Sequence, residues 1–228
     1  MNRKRITIIS GHYGSGKTNI ALSLAASLRK AHDRVLIADI DIVNPYFRTK
    51  DSEALLRSLD IRLICSTYAN TNLDIPALPP DLYTVTDDKS YQTVLDVGGD
   101  ERGALALGRL APAIREENNY EMLFVINCYR PLTQDPDSAI TVMKEIEEAA
   151  GLCCTGIVNN SNLGDETTKE TLLSSLAYAE EVAKKSGLPL LFHTVDRRLY
   201  SECQPFIPNL FPLDLQSKFY KENTLWQN

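Results

Sequence analysis

"RITIISGHYGSGKTNIALSLAASLRKA", residues 5–31, reads as a strand, a turn and a helix in immediate succession. The run 5–10 is apolar and β-branched and stops at Gly11, and from residue 19 onward apolar residues recur at helical spacing. Between them "GHYGSGKT", 11–18, satisfies G-x-x-x-x-G-K-[ST] in the strand-to-helix setting which that pattern needs. Gly11, Gly14 and Gly16 let backbone N–H groups converge on phosphate oxygens, and the helix N-terminus adds its partial positive charge. Gly11, His12, Tyr13, Gly14, Ser15, Gly16, Lys17 and Thr18, with Asn19 at the exit, are therefore the candidate nucleotide contacts. Lys17 reaches for the β- and γ-phosphates, and the Thr18 hydroxyl for Mg²⁺. A turn that bound nothing would leave Lys17 without an evident partner in so tight a loop.

Working outward, "RVLIADI" (34–40), "IRLIC" (61–65), "YQTVLDVGG" (91–99), "YEMLFVINC" (120–128), "CTGIVNN" (154–160) and "LPLLFHTV" (188–195) read as further strands. A helix around 51–59 and amphipathic runs such as "TVMKEIEEAAG" (141–151) separate them. This alternation predicts an α/β fold, a mainly parallel sheet of about seven strands with helices on both faces, whose ligands bind outside the carboxyl ends of the strands. The polar motifs fall at those ends. A length of 228 residues fits a single domain over 1–228. The proline-containing stretch 66–90 does not resolve into elements, and the C-terminal "LQSKFYKENTLWQN" reads as a docked helix.

The formal charge of −6, with no basic cluster beyond "RKR" at 3–5, argues against a nucleic-acid partner. "MNRKR" runs straight into the first strand without an apolar leader or span, so the expectation is a cytoplasmic protein with no stable membrane anchor. Five cysteines without C-x-x-C spacing argue against a disulfide framework or a self-contained zinc site. Adjacent Cys153 and Cys154, pointing to opposite faces of a strand, are read as ordinary thiols rather than metal ligands.

"LIADIDIVNP" places Asp39 and Asp41 at the end of the second strand, and "LDVGGDERG" places Asp96 at the end of a later one. Carboxylates there hold a magnesium shell or position an attacking water, which makes Thr18, Asp39 and Asp96 the metal candidates. Asp96 closes an otherwise buried apolar run, where a lone carboxylate is costly without a compensating cation. The Asp96-Val97-Gly98-Gly99 spacing suits a γ-phosphate sensor in which the Gly99 N–H meets the terminal phosphate.

Together "GHYGSGKT", "VLIADID" and "VLDVGG" resemble the MinD/ParA group of P-loop ATPases, the CobQ/CobB/MinD/ParA nucleotide-binding family, which includes cobyrinate synthase and dethiobiotin synthetase relatives. "TGIVNN" and "LFHTVDRRL" look like the family's two base-contacting segments. The resemblance implies a P-loop NTPase fold and Mg²⁺-dependent use of ATP. It places Lys17 on the phosphates, Thr18 on magnesium, Asp41 aligning the attacking water and Asp96 in the outer magnesium shell, so that Lys17, Asp41 and Asp96 are the catalytic set. Asn160, or its neighbour Asn159, would contact adenine, and Asp196 would lie near the base or ribose. "NLGD" at 162–165 has the spacing of a guanine-selecting stretch but lacks its lysine, and asparagine offers the donor and acceptor that adenine needs, so ATP is preferred to GTP.

One departure stands out. MinD- and ParA-like members carry a second lysine just after the first glycine, reaching across a nucleotide sandwich dimer, and here that residue is His12. Either the cross-dimer lysine is not used, as in the synthetase relatives, or another cation replaces it; Arg48 and Arg102 lie just beyond motifs expected near the γ-phosphate. Three functions follow. The first is a nucleotide-switched regulatory or maturation ATPase acting on a client protein, with ATP/ADP exchange and a homodimer. The second is an ATP-dependent ligase or kinase acting on a small carboxylate acceptor. The third is a nucleotide-binding scaffold with little turnover.

Overall fold

The computed structural model describes residues 3–40, 52–65, 79–99 and 101–214. In chain order the elements are β1 (Ile6–Ser10), α1 (Lys17–Arg29), β2 (Val35–Ile40), α2 (Glu53–Ser58), β3 (Ile61–Cys65), α3 (Thr84–Asp87), β4 (Gln92–Val97), α4 (Glu101–Gly108), α5 (Ala111–Glu117), β5 (Tyr120–Ile126), α6 (Pro136–Ala150), β6 (Gly156–Asn159), α7 (Lys169–Ser174), α8 (Leu176–Ser186), β7 (Leu190–Asp196), α9 (Tyr200–Cys203) and β8 (Leu210–Leu213). One eight-stranded sheet runs in the order β3-β2-β4-β1-β5-β6-β7-β8. Every adjacent pair in it is parallel.

All seven expected strands are present, and the eighth corrects the count. β8 is only four residues, "LFPL", and Pro212 within it cannot donate to a ladder, which is why it reads as a loop and why it sits at an edge. The sheet is also wholly rather than mainly parallel. Of the stretch 66–90, residues 80–87 form a short 3₁₀ turn followed by α3, and 66–78 lie outside the described residues, as does the expected C-terminal helix.

Alternation along each strand sorts the core into two layers. On one face Ile9 of β1, Ile37 of β2, Val94 of β4 and Val125 of β5 meet Ile20, Ala21, Leu24 and Leu28 of α1. On the other, Ile8, Leu36, Leu95 and Phe124 are covered by α4, α5, α6 and α8 through Leu107, Ile114, Met143 and Val182. Burying each large aliphatic side chain is worth about 1.5–3 kcal/mol, far more than intrinsic helix propensity supplies, so the apolar stripes decide where the helices lie.

At the end of β1 away from the phosphate-loop motif, Arg5 fixes the base of the sheet. Its guanidinium donates to both oxygens of Glu117, to Val85 O at 2.9 Å and to Tyr91 O at 3.2 Å. The Arg5 guanidinium in turn holds the Glu117 carboxyl below its ordinary range. Cys153 is exposed and Cys154 buried, as expected of neighbours facing opposite ways, although both precede β6 rather than lie in it. Burial pushes the Cys154 thiol well above its usual range, which keeps it protonated and unreactive.

Candidate nucleotide-binding site

The loop between β1 and α1 lies in the middle of the sheet, flanked by β4 and β5. Its glycines are required by conformation and by space. Gly11, Gly14 and Gly16 have φ of 146°, 75° and 90°. A Cβ on Gly11 would stand 2.5 Å from Val125 O, and one on Gly16 would stand 2.2 Å from Asn160 Nδ2. α1 therefore starts without a side-chain cap, at left-handed Gly16. Inside the loop the Ser15 hydroxyl is buried and has no hydrogen-bond partner among the described residues. Lys17 is buried at the first helical position, where Nζ donates to His12 O at 3.1 Å, folding the side chain back along the loop.

Strand register brings the acidic residues together. Asp39 of β2 is the direct partner of Asp96 of β4, and Asp96 that of Ile9 of β1. Because Ile37, Val94 and Ile9 belong to the layer under α1, Asp39 and Asp96 alternate onto that same face, beneath the helix whose first turn carries Lys17 and Thr18. Both carboxylates are buried, at 5% and 1% exposure. Two negative charges side by side in a dry setting call for positive charge close by. Thr18, Asp39 and Asp96 all carry oxygen donors, the kind that suits Mg²⁺. Asp41 and Arg48 lie outside the described residues, as does the side chain of Arg102.

Beyond Asp96 the chain turns through Gly98 and Gly99. A Cβ on Gly99 would lie 2.5 Å from Tyr13 N and 2.7 Å from Lys17 Nζ, so this turn is pressed against the phosphate loop. Gly103, inside α4, could not carry a side chain either, since its Cβ would be 2.5 Å from Gly98 Cα. Sequence reasoning missed Gly103, and the available signal was a glycine placed in a helix interior where it costs stability. His12 borders a groove with Gly99, Leu105 of α4 and Leu132. Leu105 and Leu132 in this groove, and Tyr13 in the loop, are each more than half exposed.

The base-side residues separate. Asn160 Nδ2 donates to Ser15 O at 2.6 Å, and its Oδ1 accepts from Thr194 Oγ1, so Asn160 is tied to the phosphate loop. Asn159 turns into the core, with Nδ2 against Ser175 Oγ and His193 Nδ1, each at 3.0 Å, and Oδ1 accepting from Ser161. Burial lowers the pKa of His193, keeping the ring neutral in that network. Asp196 lines a small cavity with Asn160, Asn162 and Thr194 at the ends of β6 and β7. Its two oxygens accept from Arg198 N and Arg198 Nε, both at 2.8 Å. One further side chain escaped sequence reasoning: Arg130, four residues past β5, lies across Gly14 of the loop.

The model of the CobQ/CobB/MinD/ParA nucleotide-binding domain matches residues 6–162, more than half of the chain. The chain belongs to this family. Its sheet and phosphate loop give it the fold of a P-loop NTPase, and family membership carries nucleotide and Mg²⁺ binding as a general property. A comparison with curated proteins returns no match. Among solved structures, FtsY from Mycoplasma mycoides aligns with a TM-score of 0.57 at 19% identity, over 85% of this chain and 61% of that one. The cell division protein FtsY from Thermotoga maritima aligns with a TM-score of 0.55 at 17% identity, over 83% and 61%. Chloroplast FtsY from Physcomitrella patens aligns with a TM-score of 0.53 at 18% identity, over 85% and 59%. The family member thus spans about three fifths of the length of these structures and shares their fold. Among its described residues no helix is long and apolar enough to cross a membrane, and no cluster of His, Cys, Asp and Glu is placed to hold a metal by itself.

Proposed function

We propose that the chain is a single-domain, cytoplasmic, magnesium-dependent ATPase whose nucleotide state sets its affinity for a partner protein. The observation that carries this reading is the contact of Gly99 with Tyr13 and Lys17, which couples the turn after β4 directly to the loop that would hold the terminal phosphate. Lys17 and the first amides of α1 bind and orient the phosphates, and the Gly99 N–H registers whether a γ-phosphate is present. Thr18, Asp39 and Asp96 would hold Mg²⁺, which when bound neutralises phosphate charge. The exposed Tyr13, Leu105 and Leu132 beside the loop supply the apolar surface that a nucleotide-controlled partner needs.

Adenine is favoured over guanine because the carboxylates within reach of the base-side cavity are already engaged. Asp196 is held by Arg198, and Asp165 of "NLGD" lies 3.9 Å from the same guanidinium. Neutral Asn162 and Thr194 are left to line the space, with Asn160 offering its second amide N–H.

Asp41→Ala is expected to bind ATP as the unaltered protein does and to hydrolyse it roughly a hundredfold more slowly, as for the loss of one group that positions a water. Parallel measurement of ATP affinity and single-turnover hydrolysis checks this, and normal turnover would return the water-positioning role to another residue.

The reading as a whole is tested by light-scattering mass with Mg²⁺ and no nucleotide, ADP, or adenylyl imidodiphosphate. A mass that doubles only with the triphosphate analogue is expected. An unchanged mass with nucleotide bound would favour the alternative of an ATP-dependent ligase or kinase acting on a small carboxylate, which His12 in place of the second lysine permits. In the same assay His12→Lys should strengthen triphosphate-dependent association, because it restores at that position the ammonium that the family's second lysine would supply.

A further inference from the structure

We infer that Arg130 is a phosphate-binding residue, supplying from the β5 side the positive charge that the loop lacks at His12. This rests on the nucleotide-binding reading above. Arg130 does not belong to the loop motif, and neither Arg48 nor Arg102 is needed for the argument.

The geometry is specific. A Cβ on Gly14 would lie 3.6 Å from Arg130 Nε, 3.8 Å from Cδ and 3.9 Å from Cζ, so the end of the arginine side chain already rests on the phosphate loop. Among the described residues no carboxylate pairs with this guanidinium, as is also true of Arg62, Arg109 and Arg115, but of these only Arg130 rests on the phosphate loop. A guanidinium left exposed and without a carboxylate, at the rim of a site built for a polyanion, has the donor fork that phosphate oxygens accept in pairs.

The segment that presents it is held in place. Arg130 N donates to Asn127 O at 3.1 Å and Thr133 N to Arg130 O at 3.0 Å, closing the turn on both sides of the arginine. Thr133 Oγ1 donates to Asn127 O at 2.8 Å, Cys128 N to Ser161 Oγ at 3.1 Å and Tyr129 OH to Thr171 O at 2.8 Å, tying the turn to β6 and α7. Pro131 then fixes φ directly after Arg130. The backbone is set, and the side chain alone has to close on its ligand, which limits the entropy lost on binding.

Two roles are possible for such a residue, support of the empty loop or contact with phosphate, and they separate experimentally. The affinities of Mg²⁺ with adenylyl imidodiphosphate, with ADP and with AMP are measured calorimetrically for the unaltered protein, Arg130→Ala and Arg130→Lys, together with melting temperatures in the absence of nucleotide. Loss of charge-assisted hydrogen bonds should weaken the triphosphate analogue by roughly ten- to hundredfold in Arg130→Ala. AMP should be nearly unaffected, Arg130→Lys should recover part of the loss, and the nucleotide-free melting temperature should not move. Triphosphate affinity equal to that of the unaltered protein, or an equal loss for all three nucleotides with a lowered melting temperature, would overturn the inference and leave Arg130 as a prop for the loop. If Arg130→Ala does not fold, Arg130→Lys and Arg130→Gln decide by the same comparison. An unaltered protein that binds no nucleotide at all would overturn the reading beneath the inference, a result distinct from binding that is indifferent to Arg130.

Discussion

Lys17→Ala should abolish the thermal stabilisation that ATP confers. A ligand at a hundredfold excess over its Kd stabilises the folded state by about 2.7 kcal/mol. For a chain of this size each kcal/mol moves Tm by about 2–4 °C, so unaltered protein should melt about 5–11 °C higher with saturating Mg²⁺ and ATP. In the variant the shift should fall below about 1 °C, because the ammonium that would meet the β- and γ-phosphates is gone while the loop amides alone remain. Without nucleotide the variant should still fold and melt cooperatively, although it loses the bond from Nζ to His12 O, which is worth about 1 kcal/mol. Differential scanning fluorimetry with and without nucleotide checks both halves, and a full ATP shift in the variant would remove Lys17 from the site.

Gly99→Ala should be as damaging to turnover, for a steric reason. The added methyl would stand 2.5 Å from Tyr13 N, 2.7 Å from Tyr13 Cα and 2.7 Å from Lys17 Nζ. Lys17 can swing away, but Tyr13 N and Cα are backbone, so the loop or the turn after β4 must shift. Displacing phosphate-binding groups by even a fraction of an ångström, and shifting the Gly99 amide that would meet the terminal phosphate, is expected to lower kcat/KM by roughly two to three orders of magnitude. ADP binding, which makes no use of that amide, should suffer less than ATP binding. The affinity ratio of the two nucleotides in variant and unaltered protein is the decisive number, and an unchanged ratio with normal turnover would mean that Gly99 has no part in sensing the phosphate.

The central strands, the phosphate loop and the carboxylates at strand ends were legible because each leaves a local signature. β-branched runs bounded by glycine mark β1 and β2, and the loop spacing marks Gly11 to Thr18. Register made Asp39 and Asp96 neighbours, a relation between residues 57 positions apart that no window of sequence contains. β8 was hidden by its length and by Pro212, and α4 by the glycine at 103. The roles of Asn159 and Asn160 could not be divided from sequence, because alternation along β6 sends one into the core network with His193 and leaves the next to the loop, and which is which depends on where the strand ends. Arg130 was invisible for a similar reason: only the parallel placement of β5 beside β1 brings "NCYRP" over Gly14.

The paired glycine contacts carry a mechanical meaning. Where side chains mediate between two elements, a small displacement is absorbed by rotamer changes and goes no further. Between Tyr13 and Gly99, and again between Gly98 and Gly103, main chain rests on main chain with no side chain interposed. Interiors packed in this way are nearly incompressible. A shift of the loop is handed on almost undiminished, first to the turn after β4 and then to α4, whose outer surface carries Leu105. A nucleotide that moved the loop would thus work on a stiff lever, with its short arm at the phosphate-loop motif and its long arm at the molecular surface.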